Sequence, residues 1–357
     1  MRCSKCVLPE NTPNIVFDEN GVCNYCHTYQ KFEYKGESAL LKTLDSFRRP
    51  DSRYDCAVGL SGGRDSSYIL LKLVRDYGMR VLAVNYENPF TVPQAKANIE
   101  NAIRALNVDI VRFQDKNNRH KRIFRDTVNA WFQKPSPALI PIVCIGCKPA
   151  WLEIYRIAKK YDIHCIVSGG HPFEVISFKR EMVGISRDEN PGRAFLKYIY
   201  SLRKILQNPA YLKPSIVLTL MKSYLFGNPH SIGIRLFWPT ITWIELFNYV
   251  EWNEQEIISR IKSELDWESP PQLKSTWRFD CRVKHLVDFM YMETLGMTDK
   301  DEFYAKMVRE GLLTREEALH RLQDESRLYF DEIQLLLDQA GFQNTSFLNE
   351  PSSVSVA

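Results

Sequence analysis

Nothing in this sequence reads as a strong net charge, a secretory leader or a membrane-spanning segment. The 357 residues carry 47 lysines and arginines against 43 acidic residues, a net charge of +4. That balance is too mild to point to a nucleic-acid partner. The opening Met-Arg-Cys-Ser-Lys-Cys has none of the apolar character of a signal peptide. The most apolar late segment, Tyr211 to Phe226, contains Lys213, Pro214 and Lys222 and is too short and too interrupted to cross a membrane. The expectation is a cytoplasmic protein with no membrane span. Its nine cysteines, an odd number, then read as metal ligands and core residues and not as a disulfide framework. The length and the 45% hydrophobic content suffice for a real core in one large or two modest domains.

The richest stretch is 56 to 76. Cys56 to Leu60 is a short apolar run, Ser61 to Asp65 a small polar turn with adjacent glycines, and Ile69, Leu70, Leu73 and Val74 recur at helical spacing. Strand, tight loop and helix in that order form an anion site, because the first helical turn offers unpaired N–H groups and the positive end of the helix dipole. Two glycines admit a phosphate closely, and Ser61, Ser66 and Ser67 add hydroxyls. No lysine sits in the loop, which excludes a Walker A motif, and Gly59, Gly62 and Gly63 miss the Gly-x-Gly-x-x-Gly spacing of dinucleotide folds. The stretch Ser61-Gly-Gly-Arg-Asp-Ser-Ser67 resembles the PP-loop of the ATP pyrophosphatases. That resemblance implies an ATP site at Leu60, Ser61, Gly62, Gly63, Arg64, Asp65, Ser66 and Ser67 that holds the leaving pyrophosphate. It also implies adenine between two strand ends at Val84 and Asn85. Asp65 and Ser66 are the candidate catalytic residues, Asp65 as a position for Mg²⁺, for the loop itself, or simply as a helix cap.

Along the chain, Cys3-x-x-Cys6 and Cys23-x-x-Cys26 present four thiolates with zinc-knuckle spacing. A closed four-sulfur Zn²⁺ site is structural, and it would stabilise residues 1–30, which have few apolar residues of their own. His27 is a bystander. Residues 31–52 read as a polar linker helix, and 53–252 as an α/β domain with an open, mostly parallel sheet and helices on both faces. Strands are expected at 80–85, 108–113 and 164–168, and helices at 91–106 and 150–160. The last strand is expected at Arg235 to Thr240, followed by a capped helix from Thr242. An insertion is expected around 186–230, a helical region over 253–345, and a flexible tail at 346–357.

Ser168, Gly169, Gly170, His171 and Glu174 fall at the same sheet edge as the loop. They read either as a second contact to ATP or Mg²⁺ or as a plain βα turn. Arg112, Lys116, Arg119, His120, Lys121, Arg122 and Arg125 form a basic cluster, either a solvated helix start or an attractor of phosphate. Cys144-x-x-Cys147, between prolines and opening the 150–160 helix, suggests a metal, a redox pair or a sulfur carrier, with exposed thiols of lowered pKa. Cys56 and Cys165 sit in apolar strands as inert core.

Four pieces together widen the resemblance: the PP-loop, Asn88-Pro-Phe-Thr-Val-Pro-Gln-Ala-Lys96, Cys144-x-x-Cys147, and Trp277-Arg-Phe-Asp-Cys281 with Leu295-Gly-Met-Thr-Asp-Lys300. The chain is similar to the N-acetyl sugar amidotransferases of bacterial surface-polysaccharide (O-antigen and nonulosonic acid) pathways. The resemblance implies conversion of a sugar acetamido group to acetamidino, with a nucleotide-activated or polysaccharide-precursor N-acetyl sugar as substrate and Arg278 and Arg282 as its contacts. No glutaminase signature occurs within the chain, so the resemblance implies a separate glutaminase and a barrel-shaped ammonia-channelling subunit; the oligomeric state stays open, with a homo-oligomer one option. Cys144, Cys147 and Cys281 supply three ligands and leave one position open, which suits a catalytic metal or a [4Fe-4S] cluster. The cluster-dependent tRNA thiolation enzymes also resemble this chain, and they supply the alternative function, ATP-dependent sulfur transfer.

Overall fold

The computed structural model describes residues 1–174, 176–182 and 202–343. The expected tail at 346–357 and residues 186–201 of the expected insertion lie outside the described residues. Five strands, β1 (Cys56–Gly59), β2 (Val81–Tyr86), β3 (Asp109–Phe113), β4 (Cys165–Ser168) and β5 (Thr242–Glu245), pair in parallel in the order β3-β2-β1-β4-β5. Alternate residues face two cores. Cys56, Val58, Val81, Ala83, Cys165 and Val167 join the larger one, while Ala57, Leu82, Val84 and Ile166 join the smaller. Burial on both faces is why these strands read as unbroken apolar runs.

Helix α1 (Glu37–Asp45) precedes the sheet. After β1 comes α2 (Arg64–Leu71), prolonged by a π turn at Lys72–Asp76, and after β2 comes α3 (Pro93–Leu106). Proline at its first position and Asn107 in the left-handed region past its end (φ 50°) bound α3. Helix α4 (Arg119–Gln133) follows β3, and α5 (Ala150–Lys160) leads into β4. By length and composition the run Pro137–Lys160, with a mean hydropathy of 1.4 over an 18-residue window, could cross a bilayer, which the sequence reading missed. Here 3₁₀ turns interrupt it at 137–139 and 145–147, and it packs into the fold, with Tyr155 and Ala158 in the smaller core.

The expected last strand is wrong in place. Residues 232–237 form a short helix, α7 (Ile232–Phe237), packed on α6 (Pro214–Phe226), and the segment expected to start a helix is β5 itself. Pro239 blocks extension of α7. Thr242, Trp243 and Ile244 are good strand formers, and register with β4, from Cys165 opposite Thr242 to Ser168 opposite Glu245, decides the matter.

The C-terminal part is helical, as expected: α8 (Glu254–Leu265), α9 (Val283–Leu295), α10 (Asp299–Glu310), α11 (Arg315–Glu325) and α12 (Phe330–Ala340). Capping boxes at Thr298/Asp301 and Thr314/Glu317 start α10 and α11. The N-terminal residues sit on these two helices. Arg2 pairs with Asp301 at 2.6 Å, and Arg315 Nε donates to the carbonyls of Cys3 and Cys6, both at 3.0 Å. Strand order reverses between β1 and β4, so the carboxyl edge there is the expected ligand crevice of an open parallel sheet.

Candidate active site

The β1–α2 turn is pinned from behind. Gly62 has φ +80°, and a Cβ there would lie 2.0 Å from the Ala95 carbonyl oxygen of α3. Its own carbonyl accepts hydrogen bonds from Asn98 Nδ2 (3.2 Å) and Trp267 Nε1 (3.1 Å). No side chain caps the start of α2 at Gly63, so the free N–H groups of its first turn are open to a ligand. Ser61 and Ser66 sit together, Oγ to Oγ 3.1 Å. Asp65 does not cap the helix. It accepts from Trp252 Nε1 (3.0 Å) and from Arg64 Nε (3.2 Å). Arg64, expected to contact ATP, is committed elsewhere. It is buried, ion-paired to Glu254, within 3.1 Å of Thr276 Oγ1, and its guanidinium stacks over Trp252 at 4.8 Å. Burial pushes the Asp65 pKa up, but Arg64 and His171 outweigh it and hold the carboxyl below its ordinary value.

The β4 edge closes on this turn. Gly169 sits tightly against it, since a Cβ there would come within 2.9 Å of Ile69 Cδ1 and 3.5 Å of Asp65. The following residues bring His171 and Glu174 to Asp65, and one ligand atom from each of the three lies within 4.8 Å of the others. His171 is buried, stacked on Trp252 with centroids 4.7 Å apart, and neither ring nitrogen has a hydrogen-bond partner. Ser168 Oγ is likewise buried and unpartnered. Glu174 accepts from Trp277 Nε1 (3.1 Å) and lies 3.8 Å from Arg278 Nε. Two carboxylates beside the open first turn of a helix fit Mg²⁺, which commonly binds through one or two carboxylates plus substrate phosphates, while the imidazole suits a softer divalent ion.

Two adjoining cavities follow. One of about 420 Å³ runs from Ser61, Asp65 and Ser66 past Ser168 and Gly170 to Arg278. The other, about 230 Å³, lies between the ends of β1 and β2 and is lined by Leu60, Val84, Asn85, Asp280 and Cys281. Asn85 Nδ2 donates to the Leu60 carbonyl at 2.7 Å. The two cavities share Gly59, Ser61, Ile154 and Asp280. Asp280 is the residue that sequence reasoning missed at their junction. It hydrogen-bonds Ser61, its Cγ would lie 3.4 Å from a Cβ on Gly63, and burial pushes its pKa up. An antiparallel bridge of Cys281 with Thr91, flanked by Val92 N to Asp280 O (3.1 Å) and Arg282 N to Phe90 O (3.0 Å), places it there. No local pattern announces that pairing, although Asp280 lies within the quoted Trp277–Cys281 block. Trp252 and Glu254, also missed, come from the far end of the chain.

Of the two expected substrate arginines, Arg278 lines the cleft and Arg282 does not. Arg282 is buried and pairs with Glu332 at 2.9 Å. Of the basic cluster, His120 is buried against Tyr86, whose hydroxyl shares a 2.9 Å hydrogen bond with its Nδ1, and burial lowers its pKa to about 4. It is no cation at neutral pH.

The two cysteine groups differ. Cys3, Cys6, Cys23 and Cys26 have all four sulfurs within 4.8 Å of one another, with Cys3–Cys26 at 3.9 Å and Cys6–Cys23 at 3.8 Å. A tetrahedral ion with Zn–S bonds of about 2.3 Å requires edges of roughly 3.8 Å, so the set fits zinc. His27 is turned to Asp18 at 2.8 Å, outside it. Among the described residues, Cys144, Cys147 and Cys281 do not gather into such a set. Cys281 accepts from Asn88 Nδ2 (3.3 Å), and Cys147 Sγ donates to the Cys144 carbonyl (3.0 Å). The lowered thiol pKa values expected here are overturned. The half-buried Cys144 and Cys147 lie at either end of a one-turn segment at Ile145–Cys147, and burial pushes Cys144 up to about 12, with Cys147 and Cys281 raised as well.

No family model matches the chain. An uncharacterized protein of Methanocaldococcus jannaschii is 25% identical over 174 residues, 47% of this chain. The chain spans 58% of that relative's length. Among solved structures, the NMN synthetase of Francisella tularensis aligns with a TM-score of 0.39 and 12% identity over 86% of this chain and 95% of that one. The U34-tRNA thiolase NcsA of Methanococcus maripaludis, solved with its [4Fe-4S] cluster, gives 0.33 and 13% over 87% and 88%. The glutamine-dependent NAD⁺ synthetase of Acinetobacter baumannii, bound to ADP, gives 0.30 and 16% over 74% and 52%. Likeness at these scores is too weak to assign chemistry. The α/β fold rests on the parallel sheet itself, with its 3-2-1-4-5 order and helices on both faces.

Proposed function

We propose that the protein is an ATP-dependent amidotransferase that turns the acetamido group of an N-acetyl sugar into an acetamidino group and releases AMP and pyrophosphate. The observation that carries this reading is the Ser61–Ser67 turn. It is held rigid by Asn98 and Trp267, with the Asp65 and Glu174 carboxyl groups on one side and a pocket between β1 and β2 on the other. ATP lies with its adenine in that pocket and its β- and γ-phosphates on the first turn of α2. The amide oxygen attacks the α-phosphorus, an O–P bond forms, and pyrophosphate leaves with the electron pair of the broken bond. Ammonia then adds to the imidate carbon, AMP departs, and the amidine remains. The turn's N–H groups and the Ser61 and Ser66 hydroxyls stabilise the departing pyrophosphate, and a rigid turn does so without reorganisation. Mg²⁺, held by Asp65 and Glu174, supplies charge neutralisation of the phosphates when bound. Arg278, at the mouth of the same cleft, orients an anionic sugar. Ammonia comes from a separate glutaminase through a barrel-type partner, which free ammonium replaces in vitro.

A second reading, ATP- and cluster-dependent sulfur transfer of the tRNA thiolation type, is favoured by the place of Cys281 in the wall of the adenine-side pocket. One experiment separates the two. The protein, ATP, ammonium and a nucleotide-activated N-acetyl sugar should yield AMP, pyrophosphate and a product in which an imino nitrogen replaces the amide oxygen by mass spectrometry. AMP release only with tRNA and a sulfur donor, from a brown, anaerobically purified protein, overturns the amidotransferase reading.

A further inference from the structure

Of the fourteen large apolar side chains exposed among the described residues, ten lie between Leu202 and Phe237. The same stretch contains Arg203, Lys204, Lys213, Lys222 and Arg235 and no aspartate or glutamate. Local folding does not demand this exposure, because the α6–α7 hairpin has its own inward anchors. Ile216, Thr219 and Ile234 are buried, and Gly233 lets the hairpin close, since a Cβ there would come within 2.3 Å of the Phe226 ring. The rest points outward. Leu218, Met221 and Leu225 form a stripe along α6, exposed by 62%, 57% and 37%, and Ile232, Leu236 and Phe237 continue it on α7, exposed by 64%, 71% and 61%.

The charged side chains that this stretch itself supplies are all basic. Asp126 takes up Lys213 at 2.8 Å, but Arg203, Lys204, Lys222 and Arg235 have no acidic partner among the described residues. Lys222 and Phe226 also line a cavity with Lys116, Arg119, Arg122 and Arg156 against Asp115 and Glu153, so the balance of charge stays positive past the hairpin. Exposed apolar side chains gathered on two packed helices mark an interaction site. Lysine is depleted in protein–protein interfaces, whereas apolar side chains beside lysine and arginine suit the headgroup region of an anionic bilayer. At thirteen residues α6 is about 20 Å long, enough to lie in that interface and too short to span it.

We infer that α6 and α7 dock the protein on an anionic bilayer surface, with Leu218, Met221, Ile232, Leu236 and Phe237 inserted among the acyl-chain tops and Lys222 and Arg235 at the phosphates. The inference is independent of the chemistry at the β1 turn.

Flotation of the purified full chain tests it, with phosphatidylglycerol–phosphatidylcholine vesicles compared with phosphatidylcholine alone. The wild type should float with the anionic vesicles, and added salt should weaken the binding. Leu218→Gln combined with Met221→Gln, and separately Leu236→Ser, should remain in the aqueous fraction while melting at the wild-type temperature, because these residues are exposed. Lys222→Ala should weaken vesicle affinity about fivefold, the effect of one cation near an anionic surface. Failure of the wild type to float with anionic vesicles overturns the inference, as does flotation of the apolar variants at the wild-type level. So does a dimer on size exclusion that the same apolar variants dissolve, with no flotation, which would make the face a contact between copies of the chain.

Discussion

Gly62 and Gly63 are adjacent, yet a methyl group should have opposite consequences at the two. At Gly62 an alanine must hold φ near +80°, which costs about 1–2 kcal/mol for an L-residue. Its Cβ would also lie 2.0 Å from the Ala95 carbonyl oxygen and 2.7 Å from its carbon, both backbone atoms that cannot swing aside. Overpacking of this kind costs about 1–3 kcal/mol, so Gly62→Ala should lose about 2–5 kcal/mol in all. In a chain of this size that lowers Tm by roughly 3–7 °C. At Gly63 the backbone is extended (φ −73°, ψ 167°), and a Cβ would meet only Ser61 Oγ at 3.3 Å and Asp280 Cγ at 3.4 Å. Gly63→Ala should therefore change stability by less than about 1 kcal/mol while its methyl intrudes on the cleft and slows pyrophosphate release. Thermal melts monitored by circular dichroism, alongside a pyrophosphate-release assay, read both quantities. A Gly62→Ala protein as stable as wild type, or a Gly63→Ala protein that is the less stable of the two, refutes the account of the turn.

Asp65→Ala should abolish pyrophosphate release from ATP; retained activity removes the carboxylate from the proposed site. Glu254→Ala removes one of the two carboxylates paired with the buried Arg64, leaving Asp65, and also unpairs Arg321, and should cost about 3–5 kcal/mol by chemical denaturation, and a loss under 1 kcal/mol would contradict the buried network. Because burial holds His120 at about 4 while an unfolded imidazole titrates near 6.5, the unfolded chain binds the extra proton between those values. Stability should then fall on acidification through that window by about 3 kcal/mol from this group, and His120→Gln should flatten the Tm–pH curve there; parallel curves would show that His120 does not carry the effect. Metal analysis should find a zinc ion bound by Cys3, Cys6, Cys23 and Cys26, and a chelator or Cys23→Ser should lower Tm, since the residues around this site rest on α10 and α11; a zinc-free protein with an unchanged melt rules the site out.

Much of the sheet was legible because doubly buried parallel strands are short apolar runs between polar loops, and 56–60, 80–85 and 164–168 have that form, while the edge strand at 108–113 is broken by exposed Asp109 and Arg112. The segment 235–245 was misread because a short apolar run carries no period of its own. Only pairing with β4 told strand from helix. The thiols of Cys144 and Cys147 were misjudged for a related reason. A CxxC beside a helix start announces spacing and says nothing of depth, and it is depth that raises their pKa.

The opening of α2 shows where the division lies. Its sequence alone determined a strand, a tight turn with glycine where no side chain fits, and a helix whose first N–H groups are unpaired, because these depend on neighbours a few residues apart. That Arg64 turns inward, that Asp65 meets His171 and Glu174, and that Asp280 faces Ser61 was decided by tertiary structure. Those partners come from β4, α8 and the 277–282 bridge, at separations of roughly 100–200 residues. Local propensity has no reach over such distances, and only the packing of the strand edges brings the groups together.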